Sequence, residues 1–530
     1  MTATTRSRRS PARRNKRFLV QKPHGQVTDR VQRVGPERFG ILSVDCAKER
    51  SKFMLADFYG SVLVPPTPLP HNRGDLQAAL ERVRQAADAH GIRDLVAAIE
   101  QTGEYHRPVQ RAIRACGWEA RLVHPFTSKQ FRLPANPGDK TDDNDLAGIH
   151  RAAVNGFGLL EPELPADYQR LQLLVRHRRD LVRKQTRVCN QLREVLHAIM
   201  PGYAACFSDL WENRLALLIA RHTGSAAAVR AAGVLGLHEI VRRHAPKDHP
   251  PQRCAATLTK IVAWAEQAPE GHPLSDCLRS ILVSLDDDRQ RKAQEIQAVE
   301  RAYANLLTRT PYVLLLCIPG INVVLAAELA GELGPMWLYP TANHITGRAG
   351  LVPSRYQSDL VDRADGPLRR SGNRRIRGIL MLTADTLVCC NQYFRARADL
   401  WRQADKDARW IRVKVAKQFS RLAFAIVGGQ RLFPHVCCQP RHYILDKLLA
   451  FHRGNDTPMS QVMQDLDQAT QQLPRAAKSA EAEPLRQRLL KIQKSRSNKP
   501  QLLGDIIPIV LARLGVSGLQ SEAREDRDPS

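Results

Sequence analysis

The residues whose types and spacing could do chemistry begin with Lys140-Thr141-Asp142-Asp143-Asn144-Asp145-Leu146-Ala147. This stretch follows a loop of breakers, Pro134-Ala135-Asn136-Pro137-Gly138-Asp139, and leads into a helical run from Leu146 to Val154. Asp142 and Asp145 stand three apart, so on a helix they share one face. Two carboxylates side by side repel each other unless a cation lies between them. Hard oxygen donors at that spacing suit Mg²⁺, with Mn²⁺ as an alternative. The same residues also make an ordinary helix start, with Thr141 as cap and acids in the first turn. Two more acids end short apolar runs. Asp45 closes Gly40-Ile41-Leu42-Ser43-Val44, and Glu100 closes Leu95-Val96-Ala97-Ala98-Ile99.

A second informative stretch is Gly350-Leu351-Val352-Pro353-Ser354-Arg355-Tyr356-Gln357-Ser358-Asp359. Arg363, Arg369, Arg370, Arg374, Arg375 and Arg377 follow it. A serine hydroxyl in a Pro/Gly-punctuated loop beside arginines is placed for phosphate, and arginines can balance charge on a phosphoryl group under attack. The plainer reading is a phosphate-binding loop whose serines only donate hydrogen bonds.

The elements that must position these groups can be read from periodicity. Residues 39–64 read as a β-meander, Leu76 to Ala87 as a helix, and 95–100 as a second buried strand. A helix over 104–115 and a strand over 120–123 complete an α/β pattern of β-β-β-α-β-α-β-α. In such sheets functional groups gather at the carboxyl ends of strands, where Asp45 and Glu100 both fall. Two long amphipathic helices, 167–200 and 278–308, are spaced to pair as an antiparallel coiled coil, within the chain or across a dimer, or to lie in an ordinary bundle. Residues 314–334 resemble a helix-hairpin-helix around Pro319-Gly320, or a plain αα-hairpin. The polar segment 453–530 reads as weakly ordered, with one apolar run from Leu502 to Leu514.

Composition narrows the partners. A formal net charge of +27 over 530 residues favours a polyanion, nucleic acid before an anionic membrane surface. Seven basic residues and no acid among residues 1–18 read as a flexible basic arm. No run reaches the roughly 18 apolar residues of a membrane span, and no secretory signal is visible, so a cytoplasmic, nucleoid-associated protein is expected. The 11 cysteines are scattered without a CxxC pair, as expected of reduced thiols. The densest group is His435, Cys437, Cys438 and His442, where adjacent cysteines are not the usual zinc spacing. No Walker loop or GxGxxG occurs, so neither ATP nor NAD is expected as a cofactor.

With these motifs together, the chain resembles the transposases of the insertion-sequence-110 family, the DEDD serine recombinases guided by a bridge RNA. The resemblance covers residues 38–160 and 311–433. It rests on Asp45, Glu100 and the Lys-Thr-Asp-x-x-Asp-Ala pattern at 140–147. In the second half it rests on Ile318-Pro319-Gly320-Ile321, Gly350-Leu351-Val352-Pro353 and Ser371-Gly372-Asn373-Arg374-Arg375-Ile376-Arg377. It implies a multidomain protein. A basic flexible arm spans 1–37, and a RuvC-like, RNase-H-type domain spans 38–160, binding Mg²⁺ through Asp45, Glu100, Asp142 and Asp145. A helical coiled-coil region spans 161–310, and a mostly α transposase domain carrying the nucleophilic serine spans 311–435. A weakly ordered extension spans 436–530. The family places that serine in a Ser-Gly pair; here Ser358 occupies the position and Asp359 stands where glycine is usual. One leucine, Leu146, is inserted before the alanine of the helix motif. DNA, a structured guide RNA and further copies of the chain are the implied partners, with Lys140 and the six arginines on nucleic acid. A RuvC-like nuclease or junction resolvase using water, and a non-catalytic nucleic-acid-binding protein, are the competing readings.

The charge yields the first prediction. Nucleic-acid affinity is expected to fall steeply and log-linearly with salt, through counterion release. Neutralising Arg374 and Arg375 should weaken binding to unrelated sequences alike, as loss of phosphate contacts does. Fluorescence-anisotropy titrations across a salt series check both; a binding constant that hardly moves with salt contradicts the expectation.

Overall fold

The computed structural model describes residues 25–473, apart from 136, 246–250, 270, 355, 359–360, 364–365, 370–371 and 433–434. The chain divides into two units, one ending at Glu163 and the other beginning at Leu164.

The first unit is built on a six-stranded mixed sheet. Its strands are β1 (Phe39–Asp45), β2 (Arg50–Asp57), β3 (Val62–Pro70), β4 (Asp94–Glu100), β5 (Glu119–Val123) and β6 (Leu159–Leu160). Their spatial order is β3-β2-β1-β4-β5-β6. The short β1–β2 and β2–β3 connections allow only antiparallel pairing, whereas β1, β4 and β5 run parallel. Parallel neighbours require crossovers, supplied by α2 (Arg73–Ala89) before β4 and α3 (His106–Ala115) before β5. Leu76, Leu80 and Val83 of α2 and Val109 and Ile113 of α3 pack against Leu42, Val44, Leu95, Ala97 and Ile99 on one sheet face. The alternate residues Phe39, Ile41, Val96 and Ala98 face the other way, onto Ile149, Ala152 and Ala153 of α5 (Asp142–Val154). The central strands are therefore buried on both faces, which is why they read as continuous apolar runs.

The expected flexible arm over 1–37 is corrected where the residues are described. Thr28–Val34 forms helix α1, and Val27 and Val31 are buried in the α5-side core. Arg30 fixes it to the sheet, with Nε 2.8 Å from Asp94 and a second guanidinium nitrogen 2.9 Å from Glu119. The basic composition hid a helix held by three valines, Val27, Val31 and the partly buried Val34, and by Arg30. Residues 1–24 lie outside the described residues.

In the second unit the two long helices are α6 (Ala166–Ile199) and α10 (Ser275–Leu307). They pair antiparallel within the chain: Arg178 bonds Glu300, Tyr303 reaches the Leu174 carbonyl, and Leu196 meets Leu282 at the far end. There α7 (Arg214–Thr223), α8 (Ala226–His244) and α9 (Pro251–Gln267) form a smaller core around Tyr203. The near ends of α6 and α10 enter the main core through Tyr168, Leu171, Val175, Tyr303 and Leu307. The boundary expected between 310 and 311 thus falls inside one core, because two long helices bury their last turns in it.

That core is completed by α11 (Val323–Leu333), α12 (Ala342–Arg348), the hairpin of β7 (Tyr356–Ser358) and β8 (Val361–Arg363), α13 (Arg374–Cys390), α14 (Gln392–Gln403) and α15 (Ala408–Gly429). The expected helix-hairpin-helix is corrected. Pro311–Cys317 is a 3₁₀ segment buried on every side, and the carbonyls of Ile318 and Ile321 in the following turn each accept from Lys447 Nζ at 2.7 Å. The extension expected to be weakly ordered from 436 is corrected too. Helices α16 (His442–Gly454) and α17 (Met459–Gln472) bury Ile444, Leu445, Leu448, Val462, Leu466 and Ala469 in the main core. Their narrow apolar stripes were diluted by polar outer faces. Residues 474–530, with the Leu502–Leu514 run, lie outside the described residues. Among the described residues no helix is long and apolar enough to cross a membrane.

Charge also holds this unit together. Arg178 and Arg179 of α6 meet Glu328 and Glu332 of α11, whose side chains are only 8% and 1% exposed. Burial pushes the Glu328 carboxyl up despite its arginine partners. Truncating Arg179 leaves Glu332 desolvated and unpaired. Arg179→Ala is expected to cost about 2–3 kcal/mol, below the range for a wholly buried pair because Arg179 is partly exposed. Arg183→Ala on the exposed face should change stability by less than about 0.5 kcal/mol. Urea unfolding of the two variants checks the difference.

Candidate active site

Strands β1 and β4 pair in parallel with Val44 opposite Ile99. The next residue of each, Asp45 and Glu100, therefore ends its strand at the same edge of the sheet. Helix α5 brings the other two acids. Its N-cap is Thr141, whose hydroxyl accepts from the Asn144 amide at 3.3 Å, so Asp142 and Asp145 occupy the first turn on one face. The capping reading and the clustering reading are both realised. Leu146 buries against Met54 and Ala56, Ile149 packs on the β1 side, and His150 Nε2 lies 2.8 Å from the Asp57 carbonyl. These contacts fix the helix along its length.

Helix α4 (Pro125–Arg132) supplies the flank. Gly148 lets α5 approach it: a Cβ there would lie 2.8 Å from the Ser128 carbonyl and 3.2 Å from Arg132 Cβ. Ser128 Oγ donates to Glu100 Oε2 at 2.5 Å, and Arg132 Nε lies 2.8 Å from Asp145 Oδ1. Lys52 pairs with Asp143 at 2.5 Å. None of Ser128, Arg132, Lys52 or Gly148 was expected from the sequence. The only available signal was the i, i+4 spacing of Ser128 and Arg132 on a short helix after a strand, which is too common to be informative.

The four carboxylates form one electrostatic group. Asp45 is pushed up to about 6, first by burial and then by the charges of Glu100, Asp145 and Asp142, with Lys140 acting in the opposite sense. Lys140 is exposed and lies within electrostatic reach of Asp45, so it serves the acids as a countercharge as well as being open to phosphate. The donor set fits a hard divalent cation. All four are oxygen donors within electrostatic reach of Asp45, although no three of them bring ligand oxygens within 4.8 Å of one another, and their mutual repulsion is what such a cation relieves. Asp45, Glu100 and Asp142 have oxygens to offer, while Asp145 is shared with Arg132.

The second unit holds the serine and arginine motifs. Gly350 has φ +65, and a Cβ on Gly372 would overlap the Gly350 backbone. The two motifs therefore cross at a glycine–glycine contact, closed by Asn373 N donating to the Arg348 carbonyl at 2.7 Å. Arg377 Nε donates to the Ala349 carbonyl at 2.8 Å and its terminal nitrogen to the Arg369 carbonyl. Arg377, expected on nucleic acid, thus uses its guanidinium to clip the crossing loops together. Arg374 and Arg375 are exposed in the first turn of α13, which Asn373 caps, and Arg369 is exposed as well. Ser358 lies in β7 opposite Val361, and Arg363 in β8 opposite Tyr356. The side chains of Ser358 and Arg363, and residues Asp359, Arg370 and Ser371, lie outside the described residues.

Comparison with known proteins adds a family context. Residues 42–201 match the family model of the DEDD transposase of IS110, described as a transposase, and residues 312–399 match the transposase model of the IS116/IS110/IS902 family. The chain is 27% identical over 296 residues to the insertion element IS110 43.6 kDa protein of Streptomyces coelicolor, covering 55% of this chain and 71% of that one. It is 25% identical over 343 residues to a probable family 20 transposase of Pseudomonas aeruginosa, covering 63% and 85%. A pilin gene-inverting protein of Moraxella bovis is 23% identical over 212 residues, covering 37% and 65%. The first matched segment contains all four carboxylates, and the second contains Ser358 and the arginines.

The raised Asp45 carries a pH prediction. Its folded pKa of about 6 lies above the unfolded value of about 3.9. The stabilisation it gives is complete below the unfolded pKa and is lost as pH rises through about 6. In chelator, Asp45→Asn should therefore melt higher than the wild type at about pH 7.5 and level with it near pH 4. Differential scanning calorimetry at the two pH values checks it.

Proposed function

With both transposase domains of the IS110/IS116 family present in this chain, we propose that it is a transposase that cuts and rejoins DNA through a covalent serine intermediate. Asp45, Glu100, Asp142 and Asp145 act at the scissile phosphate, and Ser358 is the nucleophile. The observation that carries this reading is that Glu100 of β4 and Asp142 and Asp145 of α5 all act electrostatically on Asp45 of β1, within the segment matched by the DEDD transposase model. Mg²⁺ held by Asp45, Glu100 and Asp142, with Asp145 shared with Arg132, would neutralise charge on the phosphate oxygens as a Lewis acid. The strand order β3-β2-β1-β4-β5, with three antiparallel strands followed by parallel ones, supports an RNase-H/RuvC-like assignment for this unit.

In the proposed step Ser358 Oγ attacks phosphorus. An O–P bond forms to serine, the bond to the DNA 3′ oxygen breaks, and the 3′ hydroxyl leaves with the serine's proton. A 3′ hydroxyl of another strand then attacks the phosphoserine and restores the serine. One phosphoester replaces another at each stage, so rejoining needs no nucleoside triphosphate. Arg374 and Arg375 hold DNA phosphates, since both are exposed and Arg377 fixes the loop beside them. A structured guide RNA is the second polyanion of the proposal, supported by the net charge of +27 and by the family resemblance. Each chain offers one such serine, so exchanging several strands calls for more than one copy. The α6–α10 hairpin is the element proposed to act as a coiled coil between copies. The pilin gene-inverting relative by its name rearranges DNA, which is the class of outcome proposed here.

Asp142→Ala and Asp45→Ala are expected to lose strand cleavage by at least about a hundredfold while retaining nucleic-acid binding. Ser358→Ala should abolish the covalent protein–DNA adduct seen on denaturing gels with labelled element-end DNA. Cleavage without a serine adduct would assign the water-using nuclease instead. An adduct mapping by peptide sequencing to Ser354 or Ser371 would move the nucleophile.

A further inference from the structure

A second cluster of chemically able side chains lies apart from the carboxylates, between α15 and α16. His435, Cys437 and Cys438 converge so that one donor atom of each lies within 4.8 Å of the others. His435 Nδ1 is 2.8 Å from Cys437 Sγ, and the two sulfurs are 3.8 Å apart. The fully buried Cys317 thiol, at the end of the 3₁₀ segment, interacts with Cys438 but is not one of the three donors that lie within 4.8 Å of one another. All four residues belong to the second unit.

Adjacent cysteines in an extended chain point apart, which is why the sequence spacing looked unsuited to a metal. Here the chain turns. Cys438 N donates to the His435 carbonyl at 2.8 Å, which brings both sulfurs to the side of the imidazole. A tetrahedral zinc with Zn–S bonds of about 2.3 Å sets neighbouring sulfurs about 3.8 Å apart. The Cys437–Cys438 separation already equals that edge. The His435–Cys437 separation of 2.8 Å is shorter than a nitrogen–sulfur edge of about 3.5 Å and has to open by about 0.7 Å. His442, grouped with these residues by sequence, opens α16 and is not part of the converging group.

The surroundings suit a structural metal. Asn391 donates to the Cys437 carbonyl at 3.1 Å and to the Pro319 carbonyl at 3.4 Å, and the Gln439 amide donates to the Cys317 carbonyl at 2.7 Å. The His435 ring stands edge-on to Tyr393, with centroids 5.0 Å apart. Three thiolates and one neutral imidazole around Zn²⁺ leave a single net negative charge. The ammonium of Lys447, bound to the carbonyls of Ile318 and Ile321, stands beside Cys317 to offset it.

We propose that His435, Cys437 and Cys438 bind one structural zinc ion, with the Cys317 thiol moving in to take the fourth position and so tying the segment before α16 to the Pro319-Gly320 turn. On binding, each cysteine gives up its thiol proton to solvent and the imidazole coordinates through its neutral nitrogen; no electron changes hands. The ion fastens α16 and α17 to the rest of the second unit.

The test uses the full chain. Elemental mass spectrometry of protein purified without chelator should find one zinc per chain. Replacement by Co²⁺ should give the thiolate-to-cobalt charge-transfer and intense d–d bands of a tetrahedral site. His435→Ala, Cys438→Ser and Cys317→Ser should each weaken zinc binding by at least about tenfold, since even partners outside the ligand shell are worth about 10–100-fold. Cys389→Ser/Cys390→Ser, an exposed pair at the end of α13, should bind as the wild type does. The wild-type cobalt spectrum stands whether or not any variant folds. A zinc-free wild type that also gives no tetrahedral cobalt spectrum overturns the proposal. So do undiminished binding by Cys438→Ser and a Cys317–Cys438 disulfide as the resident state on mass mapping.

Discussion

Four like charges held at one edge of a sheet are the constraint on which the first unit depends. Carboxylates left free would separate or take up protons. Here Asp45 and Glu100 cannot separate, because the parallel pairing of β1 and β4 puts consecutive strand ends side by side. Asp142 and Asp145 cannot withdraw, because α5 is buried by Leu146 and Ile149 and anchored by His150. The close approach at Gly148 adds α4, whose Ser128 and Arg132 hold Glu100 and Asp145 in place. Burial first, and then the repulsion that remains, raise Asp45. Sheet, crossover helices and apolar core thus act together to keep an unfavourable charge arrangement assembled.

The second unit resolves a different problem, the use of a large positive charge. Part of its arginine is structural. Arg178 and Arg179 neutralise nearly buried glutamates between α6 and α11, and Arg377 closes the crossing of the Gly350 and Gly372 loops. Arg374 and Arg375, by contrast, lie exposed on a helix start whose cap is already filled by Asn373.

The sequence alone determined the strands and the acids that end them. Continuous apolar runs of β-branched and small residues can only be doubly buried strands, and a threonine cap before spaced aspartates can only be a helix start with its acids on one face. The length and period of α6 and α10 were equally legible, since stripes of that length have no other solution. The paired glycines at 350 and 372 stood out as motif positions, although their reason, a backbone crossing, did not.

Tertiary structure decided what depends on partners distant in sequence. Whether α6 and α10 pair with each other or with a second chain is a choice between equivalent apolar stripes, and the contacts of Arg178 with Glu300 and of Tyr303 with Leu174 settle it within the chain. That α1, α16 and α17 are docked depends on complementary pockets in cores built from other segments, which composition averages away. The roles of Ser128, Arg132 and Arg377 arise only from the approach of separate helices and loops. The convergence of His435, Cys437 and Cys438 depends on a turn that reverses the direction of adjacent side chains. Local sequence fixes period and capping because those involve neighbours a few residues apart; which charges are spent inside the fold is fixed only when the elements pack.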